Sequence, residues 1–156
     1  MRGFEPTNNP EAVGRRLEIL LVEASLDDAR AALEILRHPS IPCRVSLVRD
    51  GDEALEFLYR RGRFRRAPKP DAILLDMQLP GKGGREVLAE IKVIDRLCRI
   101  PVIVQTGSLS QEEALRREGL AVQGFLVKPL DPLRLLVAIR ALRKDLLADV
   151  VVSGKA

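Results

Sequence analysis

Four side chains that could share one phosphoryl-transfer reaction each stand directly behind an apolar run of the chain: Glu23, Asp76, Thr106 and Lys128. A carboxylate such as Asp76 can attack phosphorus and form an acyl phosphate, while a cation and the Lys128 ammonium offset the charge on the equatorial oxygens. Thr106 can donate a hydrogen bond to the transferred group. Mg²⁺ takes octahedral oxygen ligands and keeps several waters, so one or two carboxylates, the phosphate and a backbone carbonyl, which Gln78 two residues after Asp76 is placed to offer, would complete its shell. No member of the set carries this alone. An Asp after an apolar run is ordinarily a turn or cap residue, and a single Lys is ordinarily solvated. The chemistry depends on whether four separate run ends meet.

The runs lie at 18–22 (EILLV), 44–48 (RVSLV), 72–75 (AILL), 101–105 (PVIVQ) and 124–127 (GFLV). Most are continuous rather than alternating, the pattern of strands buried on both faces of a parallel sheet. Between them, apolar residues at three- and four-residue intervals predict helices over 27–37, 52–60, 84–96, 111–117 and 132–147. Ser110 with Glu113 has capping-box spacing, and Asp131 before Pro132 puts a capping side chain ahead of proline at the first helical position. Five strands alternating with five helices require right-handed crossovers and give a three-layer α/β sandwich. In such a sheet, ligands bind beyond the carboxyl ends of the strands, where the four residues stand. Residues 1–17 read as an N-terminal extension, 18–148 as one domain, 149–156 as a C-terminal tail, and 61–70 as a long basic loop.

Composition narrows the alternatives. The chain has 156 residues, 46% hydrophobic and 31% charged, a globular balance with room for one domain of ordinary size. No apolar run approaches the roughly 20 residues that cross a bilayer, and the N-terminus lacks a hydrophobic signal core, so a cytoplasmic protein without membrane contact is expected. Cys43 and Cys98 are isolated and read as buried thiols. The net charge of +4 is weak support for nucleic-acid binding, because the acidic residues are spread throughout and only 60–69 is densely basic. Phe64 is the one aromatic of that segment, fewer rings than a stacking platform needs, and no helix-turn-helix pattern follows. Gly81, Gly83 and Gly84 lack the Lys-Ser/Thr ending of a nucleotide loop and read as a tight turn beside Asp76. The single His38, ahead of Pro39, reads as a surface or capping residue.

The segments LLVE, ILLDMQLPGKGG, VIVQTGS and GFLVKP resemble the receiver domain of two-component response regulators, over about residues 18–147. The resemblance implies a flavodoxin-like (βα)5 fold with a parallel sheet in the order 2-1-3-4-5. It implies Asp76 as phosphoacceptor with Lys128 and Thr106, and Mg²⁺ held by Glu23, Asp76 and the Gln78 carbonyl. Thr106 and Phe125 would form a conformational switch. Lys128-Pro129 would be a cis peptide aiming the ammonium into the site. The stretch ALEFLYRRGRFRRAPKPDAILLD, with REVLAEIK and IPVIVQTGS, is further similar to the stand-alone regulators of bacterial and cyanobacterial phytochrome histidine kinases. That implies a sensor histidine kinase, of bacteriophytochrome type, as phosphodonor, and a homodimer through the α4-β5-α5 face and the C-terminal tail. The function implied is a phosphorelay switch acting through protein contacts rather than an enzyme.

One residue departs from the pattern. Two adjacent acidic residues normally follow the first strand, and here they are Glu23 and Ala24. Loss of one carboxylate should weaken Mg²⁺. Asp27 and Asp28 follow closely, but helix N-capping is their simpler role. Ala24 therefore motivates a rival reading, a degenerate receiver that dimerises or binds partners without efficient phosphorylation. A haloacid-type phosphatase is disfavoured because Gln78 stands where its second Asp would be.

Overall fold

All five apolar runs become strands, the outcome that continuous apolar runs of strand length favour in a parallel sheet. The computed structural model describes residues 16–153, with side chains as far as 144. Nearly all of the expected N-terminal extension, and the side chains of the tail, lie outside that range. In chain order the elements are β1 (Leu17–Val22), α1 (Leu26–Leu36), β2 (Cys43–Val48), α2 (Gly51–Tyr59), β3 (Ala72–Asp76), α3 (Gly84–Lys92), β4 (Val102–Thr106), α4 (Ser110–Arg117), β5 (Gly124–Val127) and α5 (Pro132–Ser153). The strands are parallel in the order β2-β1-β3-β4-β5, the flavodoxin-like arrangement expected.

The two-residue period of the strands sorts the core into two halves. Leu20, Val22, Ile73, Leu75, Val102 and Val104 face α2, α3 and Leu115 of α4. Ile19, Leu21, Ala72, Leu74 and Ile103 face α1 and α5, against Ala29, Ala32, Leu36, Leu135 and Ile139. Because β1, β3 and β4 are covered on both sides, the residues leaving their ends emerge between two layers of helix.

Several expectations change at element ends. Helix α3 stops at Lys92 rather than at 96, because turn-type bonds from Val93 to Glu90, Ile94 to Ile91 and Leu97 to Ile94 tighten the chain and bring Leu97 into the core. The capping box at Ser110 does not form: the serine is already inside α4, and its hydroxyl bonds the Ser108 hydroxyl at 2.7 Å. Asp131 does cap α5, its Oδ1 accepting from the Leu133 amide at 2.9 Å. Helix α5 continues to Ser153, so most of the segment read as a tail is helical. The 61–70 loop contains one 3₁₀ turn, Gly62–Phe64. Its Phe64 ring packs on Phe57, with centroids 5.4 Å apart, and so belongs to the core instead of offering a stacking surface. The two cysteines are half-buried rather than buried.

Candidate functional site

The sheet's carboxyl edge gathers two of the expected side chains, Glu23 and Asp76, on a third, the Lys128 ammonium. Val22 lies beside Leu75 in register, so the next residues, Glu23 and Asp76, leave adjacent strands side by side. The Glu23 amide donates to the Val48 carbonyl at 3.0 Å and the Lys128 amide to the Thr106 carbonyl at 2.7 Å, so both strands keep pairing for one residue beyond their ends. Asp76 is held at both oxygens: Oδ1 accepts from the Gln78 amide at 2.9 Å, and Oδ2 from Lys128 Nζ at 2.8 Å. Lys128 Nζ also donates to Glu23 Oε1 at 2.7 Å. The Lys128–Pro129 peptide is cis, as the resemblance implied.

The turn after Asp76 depends on its glycines. Gly81 has φ +68°, a left-handed conformation that a side chain would strain, and a Cβ on Gly84 would come within 2.4 Å of the Asp76 carbonyl oxygen. Only a bare backbone lets α3 begin this close to the phosphoacceptor candidate. The Gln78 carbonyl was expected to face a cation; the structure gives its amide the separate task of holding Asp76.

Asp28 corrects the sequence reading. The residue that caps α1 is Ser25, whose side chain accepts from the Asp28 amide at 3.2 Å. With its amide capped, Asp28 sends its carboxylate into the site, where Oδ2 accepts the third Lys128 proton at 2.8 Å. A lysine ammonium has three donors, and here three carboxylates use them. The signal was present in the sequence as an acidic residue in the first turn of the helix that follows Glu23, but capping explained it equally well. Ala24 has a neighbour that sequence could not supply. Its carbonyl accepts from the Arg49 guanidinium, at 2.6 Å from Nη2 and 3.2 Å from Nε, which ties the β1–α1 turn to the end of β2.

Thr106 and Phe125 lie on the other side of the sheet. Thr106 is buried at the end of β4, and its hydroxyl bonds Gln111 of α4 and accepts from the Ser108 amide. Phe125, paired in register with Val104, faces the same layer and lines a cavity of about 270 Å³ together with Leu115, Leu120, Val122 and Gly124. Buried Gln105 also escaped sequence reasoning. Its side-chain amide has no hydrogen-bond partner among the described residues. A polar residue closing an otherwise apolar strand was its visible signal.

The charge balance of the site follows from burial. Burial, and then the adjoining Asp76 carboxyl, push Glu23 up to about 7, with Lys128 opposing. For Lys128, burial pulls downward, but hydrogen bonds to Asp28, Asp76 and Glu23 outweigh it and hold the ammonium above the usual lysine range. As donors, Glu23, Asp28, Asp76 and nearby carbonyls are all oxygen, the chemistry that Mg²⁺ or Mn²⁺ prefers. Among the described residues, no three acidic, imidazole or thiol groups already enclose a common metal position. Lys128 stands between the carboxylates instead. The donor chemistry therefore fits a hard dication, provided the ammonium yields part of its place.

Comparison with known proteins agrees with this geometry. The family described as the response regulator receiver domain matches residues 19–140. Among curated proteins, the response regulator Rcp1 of Synechocystis is 44% identical over 110 residues, 70% of this chain and 75% of that protein. Among solved structures, the bacteriophytochrome response regulator RtBRR aligns at TM-score 0.76 and 35% identity, covering 81% of this chain and 78% of its own. The phosphorylated cyanobacterial phytochrome response regulator RcpA aligns at TM-score 0.70 and 37% identity, covering 83% and 92%. The Mn²⁺-bound form of Rcp1 aligns at TM-score 0.67 and 38% identity, covering 82% and 90%.

Proposed function

This chain belongs to the response regulator receiver family, and on that premise we propose that it accepts a phosphoryl group on Asp76 from a sensor histidine kinase and signals through protein contacts. The observation that carries this reading is Asp76 itself, buried at the end of the central strand and fixed through both oxygens by the Gln78 amide and the Lys128 ammonium. A carboxylate so held attacks the phosphorus of a phosphohistidine; the O–P bond forms as the N–P bond breaks, and the imidazole leaves with a proton from solvent. Lys128 remains beside Asp76 to offset charge on the phosphoryl oxygens, and the Gln78 amide keeps the carboxylate oriented. A divalent cation held by Glu23, Asp76 and the Gln78 carbonyl would supply further neutralisation of those oxygens. Thr106 exchanges its bond to Gln111 for one to the phosphoryl group, and Phe125 follows into the space beside Leu115. The role is that of a switch in the cytoplasm.

The similarity to RtBRR, RcpA and Rcp1 supports a bacteriophytochrome-type kinase as donor. Exposed Leu133 and Val137 on α5 and Leu109 before α4 support a homodimer through the α4-β5-α5 face. Light scattering at tens of micromolar should give twice the chain mass, and a monomer mass would remove the dimer from the account. A second reading is favoured by Ala24: a degenerate receiver that assembles without being phosphorylated. Acetyl phosphate with Mg²⁺ separates the two. We expect a base-labile mass increase of one phosphoryl group that Asp76→Asn lacks, and an unmodified wild type would favour the degenerate reading.

A further inference from the structure

We propose that Asp28, from the first turn of α1, is the third carboxylate of the divalent-cation site, supplying the charge that position 24 lacks. The inference deepens the phosphoacceptor reading and rests on it for the site's identity.

Two observations carry it. Asp28, Glu23 and Asp76 converge on the same ammonium at 2.8, 2.7 and 2.8 Å, so they already act as one binding unit for positive charge. A dication approaching them meets three carboxylates, the number that an acidic residue at position 24 would have given. The Glu23 and Asp76 side chains are buried, at 1% and 5% exposure, whereas Asp28 is 47% exposed at the rim. A hard cation that keeps several waters binds at such a boundary, with fixed ligands behind it and an adjustable one at the mouth.

The chain also holds Asp28 in that place. Glu23 Oε2 accepts from the Ser25 amide at 3.2 Å, and the Ser25 hydroxyl accepts from the Asp28 amide at 3.2 Å, so one serine links both acidic residues through the turn. Arg49 anchors the same turn through the Ala24 carbonyl. Asp27, one residue earlier, is exposed. Lys128 gives up its bond to Asp28 when the carboxylate turns to a cation, and keeps Asp76.

The test is Mg²⁺ titration of the unphosphorylated protein by calorimetry, repeated with Mn²⁺ by electron paramagnetic resonance. Asp28→Asn should weaken both cations by about ten- to a hundredfold, the usual loss when a group supporting a metal site is removed. Asp27→Asn should leave affinity unchanged, and Ala24→Asp in the Asp28→Asn background should restore it. Asp28→Glu, which keeps the charge, should stay closer to wild type than the amide variant. Thermal unfolding of each variant confirms that the fold is intact. Equal affinity of wild type and Asp28→Asn, or no binding by the wild type, would overturn the proposal. If the titrations behave as expected while acetyl phosphate leaves Asp76 unmodified, the phosphoacceptor reading fails and the role of Asp28 stands.

Discussion

The two halves of the sheet's carboxyl edge are built differently. On the β1–β3 side, Glu23, Asp28 and Asp76 are locked by charge to Lys128, which reaches them from the end of β5, over strands whose ends are fully buried. On the β4–β5 side, α4 buries one residue, Leu115, β5 buries one, Leu126, and a cavity lies between them. In the proposed phosphoryl transfer, the first half would hold the reacting groups still, as catalysis by positioning requires. The second has few contacts to lose, so a small event at Thr106 can move it.

The contrast can be broken by deletion in each half. Leu75→Ala, fully buried in β3, should cost about 4 kcal/mol and Leu115→Ala about 2 kcal/mol, the upper and lower parts of the range for buried leucines, because the wall of an existing cavity has less packing to lose. Urea unfolding measures both, and equal costs would remove the distinction. Removing the ammonium comes next. Lys128→Ala leaves buried Glu23 and Asp76 without their cation and should cost on the order of 3 kcal/mol at pH 8. The loss should shrink at pH 5, where Glu23 takes up a proton.

That titration has its own signature. The Glu23 carboxyl is raised to about 7 in the folded protein from an ordinary value of 4.5. Between those values the folded state holds a proton that the unfolded chain has released, so its contribution to stability is fully present below about pH 4.5 and is lost as pH rises to about 7. In metal-free buffer the melting temperature should therefore fall over that window. Glu23→Gln should flatten the decline, and an unchanged slope would show that another group is responsible. The smallest effect has the opposite sign. Gln105→Leu removes an unpartnered amide from the core and should stabilise the protein by about 1–2 kcal/mol in chemical unfolding.

The same division explains what the sequence revealed. Strand ends were legible because burial on both faces leaves continuous apolar runs, and the first polar residue after each run must lie at the sheet's edge. That places Glu23, Asp76 and Lys128 within the same site before any coordinates are known. Asp28 was harder to read because it reaches the site from a helix, and a first-turn Asp satisfies capping and ligation equally well in sequence. The Ser25 cap takes the capping role from Asp28, and the bond to Lys128 brings its carboxylate into the site. The Ser110 expectation failed for a related reason: local spacing cannot show that Ser108 competes for the hydroxyl. The bond from Arg49 to the Ala24 carbonyl joins residues 25 apart through the backbone, where side-chain type carries no signal.

Three carboxylates share Lys128, so the most direct test is to identify the one that takes the phosphoryl group. Acetyl phosphate treatment followed by borohydride reduction turns an acyl-phosphorylated aspartate into homoserine, which peptide mass spectrometry assigns to a position. The account predicts homoserine at position 76 alone, and reduction at position 28, at position 23 or at none of the three would contradict it.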